Sequence, residues 1–262
     1  MTKLADYQHK YKFVRIERSP EGVLEIAIHN DGGPATWSPW PGGLHDELGQ
    51  AFYEVGRDPE NKVVIITGTG DTFLTQFDMS VADPEAGSAL FWDRIYKEGK
   101  DLLMNLLDIE VPVIGVVNGA AHIHAEVPVM SDIVLAADHA TFADKAHMPN
   151  GTVPGDGVHI WWQMVLGPNR GRHFLITGDE ISASEAKDLG FVAEVHPADK
   201  VLDRAREIAR DLAGRSRMQL RYTRVAFVQH IKRRMLDDLG YGLQLEAMAA
   251  THSMQEAMKG KG

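Results

Sequence analysis

With 262 residues, 37 Asp and Glu against 27 Lys and Arg, and no cysteine, the chain excludes several function classes at once. A formal charge of −10 argues against nucleic acid or an anionic membrane as partner, because both select a basic footprint. The lack of Cys removes disulfides, thiolate metal sites and a cysteine nucleophile. No apolar run approaches the ~20 residues of a membrane span, and the first ten residues hold no apolar signal core, so a cytoplasmic globule is expected.

The elements follow in chain order. Phe13-Val-Arg-Ile-Glu-Arg18 and Leu24-Glu-Ile-Ala-Ile-His29 alternate as half-buried strands, and Ser19-Pro-Glu-Gly22 turns one into the other. Residues 30–43 carry two Trp and three Pro and read as a long loop, of the kind that is often functional. Leu44, Leu48, Ala51, Phe52 and Val55 share one helical face, as do Leu90, Phe91, Ile95, Leu102, Leu103 and Leu106. The runs at 63–67, 111–117, 132–137 and 191–195 suit buried strands, and their alternation with helices indicates an α/β fold. From Pro197 onward the pattern is helical, read as two or three helices broken at Gly214 and Gly240. This divides the chain into a core, 1–196, and a helical oligomerisation region, 197–262. Seven basic residues between Arg215 and Arg234 would suit an anion, although a solvated face paired with the acidic excess is the commoner arrangement.

Two segments concentrate polar groups in apolar surroundings. One is Ala121-His-Ile-His-Ala-Glu126, directly after a strand; the other runs from Asp144 through His147 and Asp156 to His159. Asp156 sits between two glycines, where the backbone turns tightly and presents a side chain. A His and an Asp on adjoining loops are the minimum set for base catalysis, although a surface His beside a turn Asp has the same spacing. His122, His124 and Glu126 would share a face on a strand and offer a divalent-metal set; a helix starting at Glu126 would splay them.

The motifs Thr67-Gly-Thr-Gly-Asp-Thr-Phe-Leu-Thr-Gln-Phe-Asp78, Val111-Pro-Val-Ile-Gly-Val-Val-Asn-Gly119, Ser131-Asp-Ile-Val-Leu-Ala-Ala137 and Gly151-Thr-Val-Pro-Gly-Asp-Gly157 resemble the crotonase (enoyl-CoA hydratase/isomerase) superfamily. The resemblance runs over roughly residues 12–255. It implies a spiral of ββα turns, a C-terminal helical trimerisation region, and an oxyanion hole from the backbone N–H groups of Phe77 and Ile123. Of the two catalytic glutamates in the hydratases, the first corresponds to Glu126 and the second to His147. The glycine-rich loop is replaced by His122-Ile-His124, and a neutral turn residue by Asp156.

These departures resemble the subgroup that hydrolyses carbon–carbon bonds in β-diketones. That likeness implies a His147–Asp156 dyad activating water, with His147 oriented by Asp156, and His124 at a substrate carbonyl. It also implies a pocket completed by Glu246 and by Trp37 or Trp40, with Trp40 the better fit. The expected substrate is a small-molecule 1,3-diketone, with no metal, nucleotide or CoA, acted on by a homo-oligomer that is a trimer or a dimer of trimers. Retention of CoA-thioester chemistry, and a metal-dependent diketone-cleaving oxygenase, are the enzymatic alternatives; a non-catalytic ligand-binding member is the other.

Overall fold

The computed structural model describes residues 2–81 and 83–259. A short helix α1 (Leu4–Tyr7) precedes the antiparallel hairpin of β1 (Val14–Arg18) and β2 (Val23–Ile28), paired Val14 to Ile28. Strand β1 alternates as expected, whereas β2, flanked by strands on both sides, is buried at all positions but Glu25. Helix α2 (Leu44–Arg57) leads to β3 (Val63–Thr67) and a short β4 (Thr72–Leu74). Helix α3 (Ala89–Asp108) then leads to β5 (Val113–Val117) and β6 (Ala120–Ala121), and α4 (Glu126–Val129) to β7 (Ile133–Ala137) and β8 (Thr141–Phe142).

Strands β3, β5 and β7 are thus each followed within a few residues by a short strand. The five longer strands and a three-residue β10 (Glu194–His196) form a six-stranded sheet in the order β1-β2-β3-β5-β7-β10; the other short ones pair in a second sheet, β4-β6-β8-β9, with β9 Ile181–Ser182. From β2 onward the large sheet is parallel, and β3 and β5 are buried at every position, which is why they read as unbroken β-branched runs. This is the spiral of ββα turns.

The corners between the sheets are held by Asn118. Its side chain accepts from the Gly68 N–H (3.1 Å) and donates to the carbonyls of Gly70 (2.9 Å) and Thr72 (2.8 Å). Gly119 has no alternative, because a Cβ there would lie 1.8 Å from the Asp71 carbonyl oxygen.

The remaining helices are α5 (Val158–Leu166), α6 (Pro168–Thr177), α7 (Ala183–Asp188), α8 (Ala198–Ala213) and α9 (Arg217–Lys259). The tail breaks at Gly214 as expected but not at Gly240. Helix α9 runs through that glycine for 43 residues, about 65 Å at 1.5 Å per residue. Gly240 serves packing instead: a Cβ there would meet the Tyr96 Oη at 2.7 Å. The basic residues at 215–234 are largely paired, Arg215 with Asp211, Arg221 with Glu110, Lys232 with Asp108 and Arg234 with Asp238. Buried Arg224 donates to the carbonyls of Ile109 and Leu106 at the end of α3 and pairs with Asp132. They form a docking seam and a solvated face, and not an anion patch.

Candidate active site

Three segments and one helix converge on a cavity of about 190 Å³. The segment after β6 supplies His124, the segment after β8 supplies His147, the turn before α5 supplies Asp156, and α9 supplies Glu246. Phe91, Trp92, Ile95 and Leu243 add an apolar wall from α3 and α9. Two glycines set the approach of α9: a Cβ on Gly155 would lie 2.2 Å from the Gly242 carbonyl oxygen, and one on Gly242 equally close to that of Gly155. Any side chain at either would lift Glu246 away from Asp156.

The polar floor has a repeated construction. His147 Nδ1 is 2.7 Å from Asp144 Oδ1, and both side chains are 4% exposed. His124 Nδ1 is 2.7 Å from Glu126 Oε1, again with both buried. Each imidazole is therefore pinned from behind by a carboxylate close to it in sequence. Their Nε2 atoms converge on one oxygen: Asp156 Oδ2 lies 3.3 Å from His147 and 3.6 Å from His124. Glu246 Oε1 completes the cluster 3.9 Å from His147 Nε2. The second oxygens of Asp144, Glu126, Asp156 and Glu246 are buried without hydrogen-bond partners.

Burial and charge oppose each other here. Burial depresses the basicity of His147, but the Asp156 carboxylate, and then Asp144, raise it well above the ordinary imidazole value. His124 is likewise lowered by burial and carried upward by Glu126 and Asp156. Asp156 stays ionised despite burial, because two imidazoles face it. Glu246, pushed by burial and by the charge of Asp156, rises to about 8.

His124 has φ +47°, in the left-handed region. A non-glycine residue there costs on the order of 1 kcal/mol or more, and such strain concentrates at functional sites. The imidazole thus sits on a backbone conformation natural to glycine, at the position where the glycine-rich loop is replaced. His122 diverges from it. Its Nε2 bonds Thr141 Oγ1 at 2.8 Å, because Glu126 begins α4 and the turn splays the pair. The set His122, His124 and Glu126 therefore does not assemble. Ligand atoms of His124, Glu126 and Asp156, and those of His147, Asp156 and Glu246, do lie within 4.8 Å of one another and are the groups that would hold a cation.

Three expectations need correction. Trp37, not Trp40, lines the cavity; its ring lies 4.0 Å from that of His124, whereas Trp40 is half-buried outside it. The choice is made by backbone pairing, since the Trp37 N–H donates to Gln76 (2.7 Å) and its carbonyl accepts from Asp78 (2.8 Å), fixing this residue beside Phe77. Phe77 does reach the cavity. Ile123 does not: it is buried, and its N–H already donates to the Leu74 carbonyl at 3.1 Å, so it is not free for an oxyanion. The third correction concerns the dyad, since Asp156 faces Nε2 of His147 while Asp144 occupies Nδ1. Asp144, three residues before His147, was visible in the sequence only as spacing. His45, buried beside Trp37 with Nδ1 3.1 Å from Glu98 Oε2, also lines the cavity and had no sequence signal beyond its helical face.

Among the described residues no helix is long and apolar enough to cross a membrane. A model of the enoyl-CoA hydratase/isomerase family matches residues 20–262. A probable peroxisomal enoyl-CoA hydratase of Arabidopsis thaliana is 27% identical over 95% of this chain and 94% of its own. A carnitinyl-CoA dehydratase of Salmonella arizonae is 36% identical over 63% of this chain and 62% of its own. Among solved structures, a β-diketone hydrolase from the cyanobacterium Anabaena, bound to (S)-3-oxocyclohexyl acetic acid, is 44% identical with a TM-score of 0.90, covering 94% of this chain and 97% of that one. An enoyl-CoA hydratase/isomerase from Mycobacterium paratuberculosis shares the fold at 22% identity, with a TM-score of 0.83 over 92% of this chain and 95% of that one. The chain belongs to the enoyl-CoA hydratase/isomerase family, the crotonase superfamily, and within it resembles a β-diketone hydrolase.

Proposed function

We propose that this protein is a cytoplasmic hydrolase that cleaves a carbon–carbon bond of a 1,3-diketone by a retro-Claisen reaction, giving a keto acid or a ketone plus a carboxylic acid. The observation that carries this reading is the convergence of two carboxylate-backed imidazoles on Asp156 at the floor of a cavity with an apolar wall. The 44% identity to a β-diketone hydrolase supports it.

The chemistry needs a base for water, a donor for the carbonyl oxygen and a proton for the departing carbon. Neutral His147 accepts the water proton at Nε2 as the oxygen adds to one ketone. The tetrahedral intermediate collapses to the carboxylic acid, and the electron pair of the breaking carbon–carbon bond passes through the central carbon into the second carbonyl, whose oxygen becomes the enolate oxygen. His124, whose basicity Glu126 and Asp156 raise, donates from Nε2 to that oxygen, and a proton returns to carbon from His147. All atoms of substrate and water are retained in the product.

A two-carboxylate hydration of an enoyl thioester fits less well. The second glutamate position holds His147, and Glu126 is engaged with His124. Cleavage in ¹⁸O-labelled water tests the assignment: one label is expected in the new carboxylate, and prior dialysis against a chelator should leave the rate unchanged. Hydration of enoyl-CoA without any diketone turnover would refute the assignment. A chelator-sensitive rate would hand the chemistry to a cation between His147, Asp156 and Glu246.

The working unit is proposed to be a trimer or a dimer of trimers. Helix α9 leaves Met218, Tyr222, Phe227, Leu236, Tyr241 and Met248 exposed, each more than half, and that much apolar surface along one helix is suited to burial against other subunits. Sedimentation at micromolar concentration should give a mass of three or six chains; a monomer would oppose the proposal.

A further inference from the structure

We infer that Asp144 is the positioning residue of His147, selecting the tautomer in which Nδ1 carries the proton and Nε2 presents its lone pair to the reacting groups. This deepens the reading above and rests on it only for the kinetic half of the test. The inference stands on the geometry of the pair. Asp144 Oδ1 is 2.7 Å from Nδ1, inside ordinary hydrogen-bond range, and both groups are almost fully buried. Asp156 lies on the opposite side of the ring, at 3.3 Å from Nε2. A carboxylate on that side cannot hold Nδ1–H; it competes for the nitrogen that must receive the water proton.

Backbone contacts keep Asp144 in place. The Lys145 N–H donates to the His122 carbonyl (2.9 Å) and the Ala143 N–H to that of Ala121 (3.0 Å), so residues 143–145 extend the short-strand sheet past β8. The chain then turns at His147, whose φ and ψ of −105° and −92° bring its ring back over Asp144. The three-residue separation is thus closed by a turn, and not by a helix. The neighbouring His124–Glu126 pair has the same design on another loop, with Nδ1 pinned and Nε2 inward. Two independent loops built this way point to a requirement for inward-facing Nε2.

The consequence is a division of labour among three carboxylates. Asp144 orients, and Asp156 lies on the reacting side, within reach of both imidazoles and of Glu246. Asp144 is therefore a residue whose loss should reduce the quality of the base more than the binding of substrate.

The test uses ¹⁵N-labelled full-length protein, with the His147 signals assigned by comparison with His147→Gln. Above the raised pKa, the wild-type protein should show His147 as the Nδ1–H tautomer. Asp156→Asn should keep it, and Asp144→Asn should lose it. An Nε2–H tautomer in the wild type overturns the inference without any variant, so misfolding of Asp144→Asn cannot leave the question open. Loss in Asp156→Asn with retention in Asp144→Asn overturns it too. With a hydrolysed 1,3-diketone, Asp144→Asn should lower kcat on the order of 10²–10⁴-fold with KM little changed, by analogy with a carboxylate that orients a catalytic imidazole. It should also move the acid limb of the rate profile downward, since a charge that raises His147 is gone. Asp144→Glu should recover part of the rate. If no diketone is turned over, the proposed function fails while the tautomer assignment stands on the spectra alone.

Discussion

Replacing His147 by Gln is expected to lower kcat on the order of 10²–10⁴-fold, towards the upper end, because in the proposed reaction one imidazole both takes the proton from water and returns one to carbon. Gln keeps much of the volume and the polarity but has no titratable lone pair. The pH profile of the unmodified protein carries the same signature. A base works only in its neutral form, so the rate rises with pH through the folded-state pKa of His147. Asp156 and Asp144 raise that value, and the half-maximal rate should fall well above ~6.5 instead of near it. A kcat within tenfold of wild type in His147→Gln, or an acid limb below pH 6.5, would remove His147 from the role of base.

His124→Ala is expected to lose on the order of 10²–10³ in kcat with a smaller change in KM, the scale of removing one oxyanion donor. The prediction has an internal control in His122→Ala, which should lose less than about tenfold because its ring bonds Thr141 away from the cavity. Backbone strain gives a second control. At φ +47° Ala keeps the unfavourable conformation while Gly does not. His124→Gly should therefore be as inactive as His124→Ala while melting higher. If His122→Ala proved the more damaging of the two histidine variants, the donor assignment would be reversed.

The parts of this molecule that sequence reasoning reached are those with long-range periodicity. The β-branched runs at 63–67 and 113–117 are buried on both faces, and α2 and α3 show single apolar stripes, so each was legible in composition alone. The second sheet was not, because its strands are two or three residues long and too short to show any period. Gly240 misled because a glycine in a helix costs about 1 kcal/mol relative to Ala, and so reads as a break. The packing of Tyr96 that requires it lies far away in sequence. In the site, residue types were readable but partners were not. His147 and Asp156 were singled out by their surroundings, yet which nitrogen each carboxylate meets depends on the turn at His147. Trp37 and Trp40 differ by three positions in an irregular loop, and only pairing with residues 76–78 distinguishes them.

The placement of Glu246 on α9 has a consequence during synthesis. The cavity floor is complete once residue 156 is in place, but its closing wall and fourth polar group come from residues 243–250, more than eighty residues later. A nascent chain can therefore fold both sheets around α2, α3 and α8 while the histidines and carboxylates still face water. Only the docking of α9, through the Gly155–Gly242 contact, expels that water and brings the two imidazoles and Asp156 under the low polarizability that perturbs them. The site is in this sense completed only after the core that carries its floor has formed.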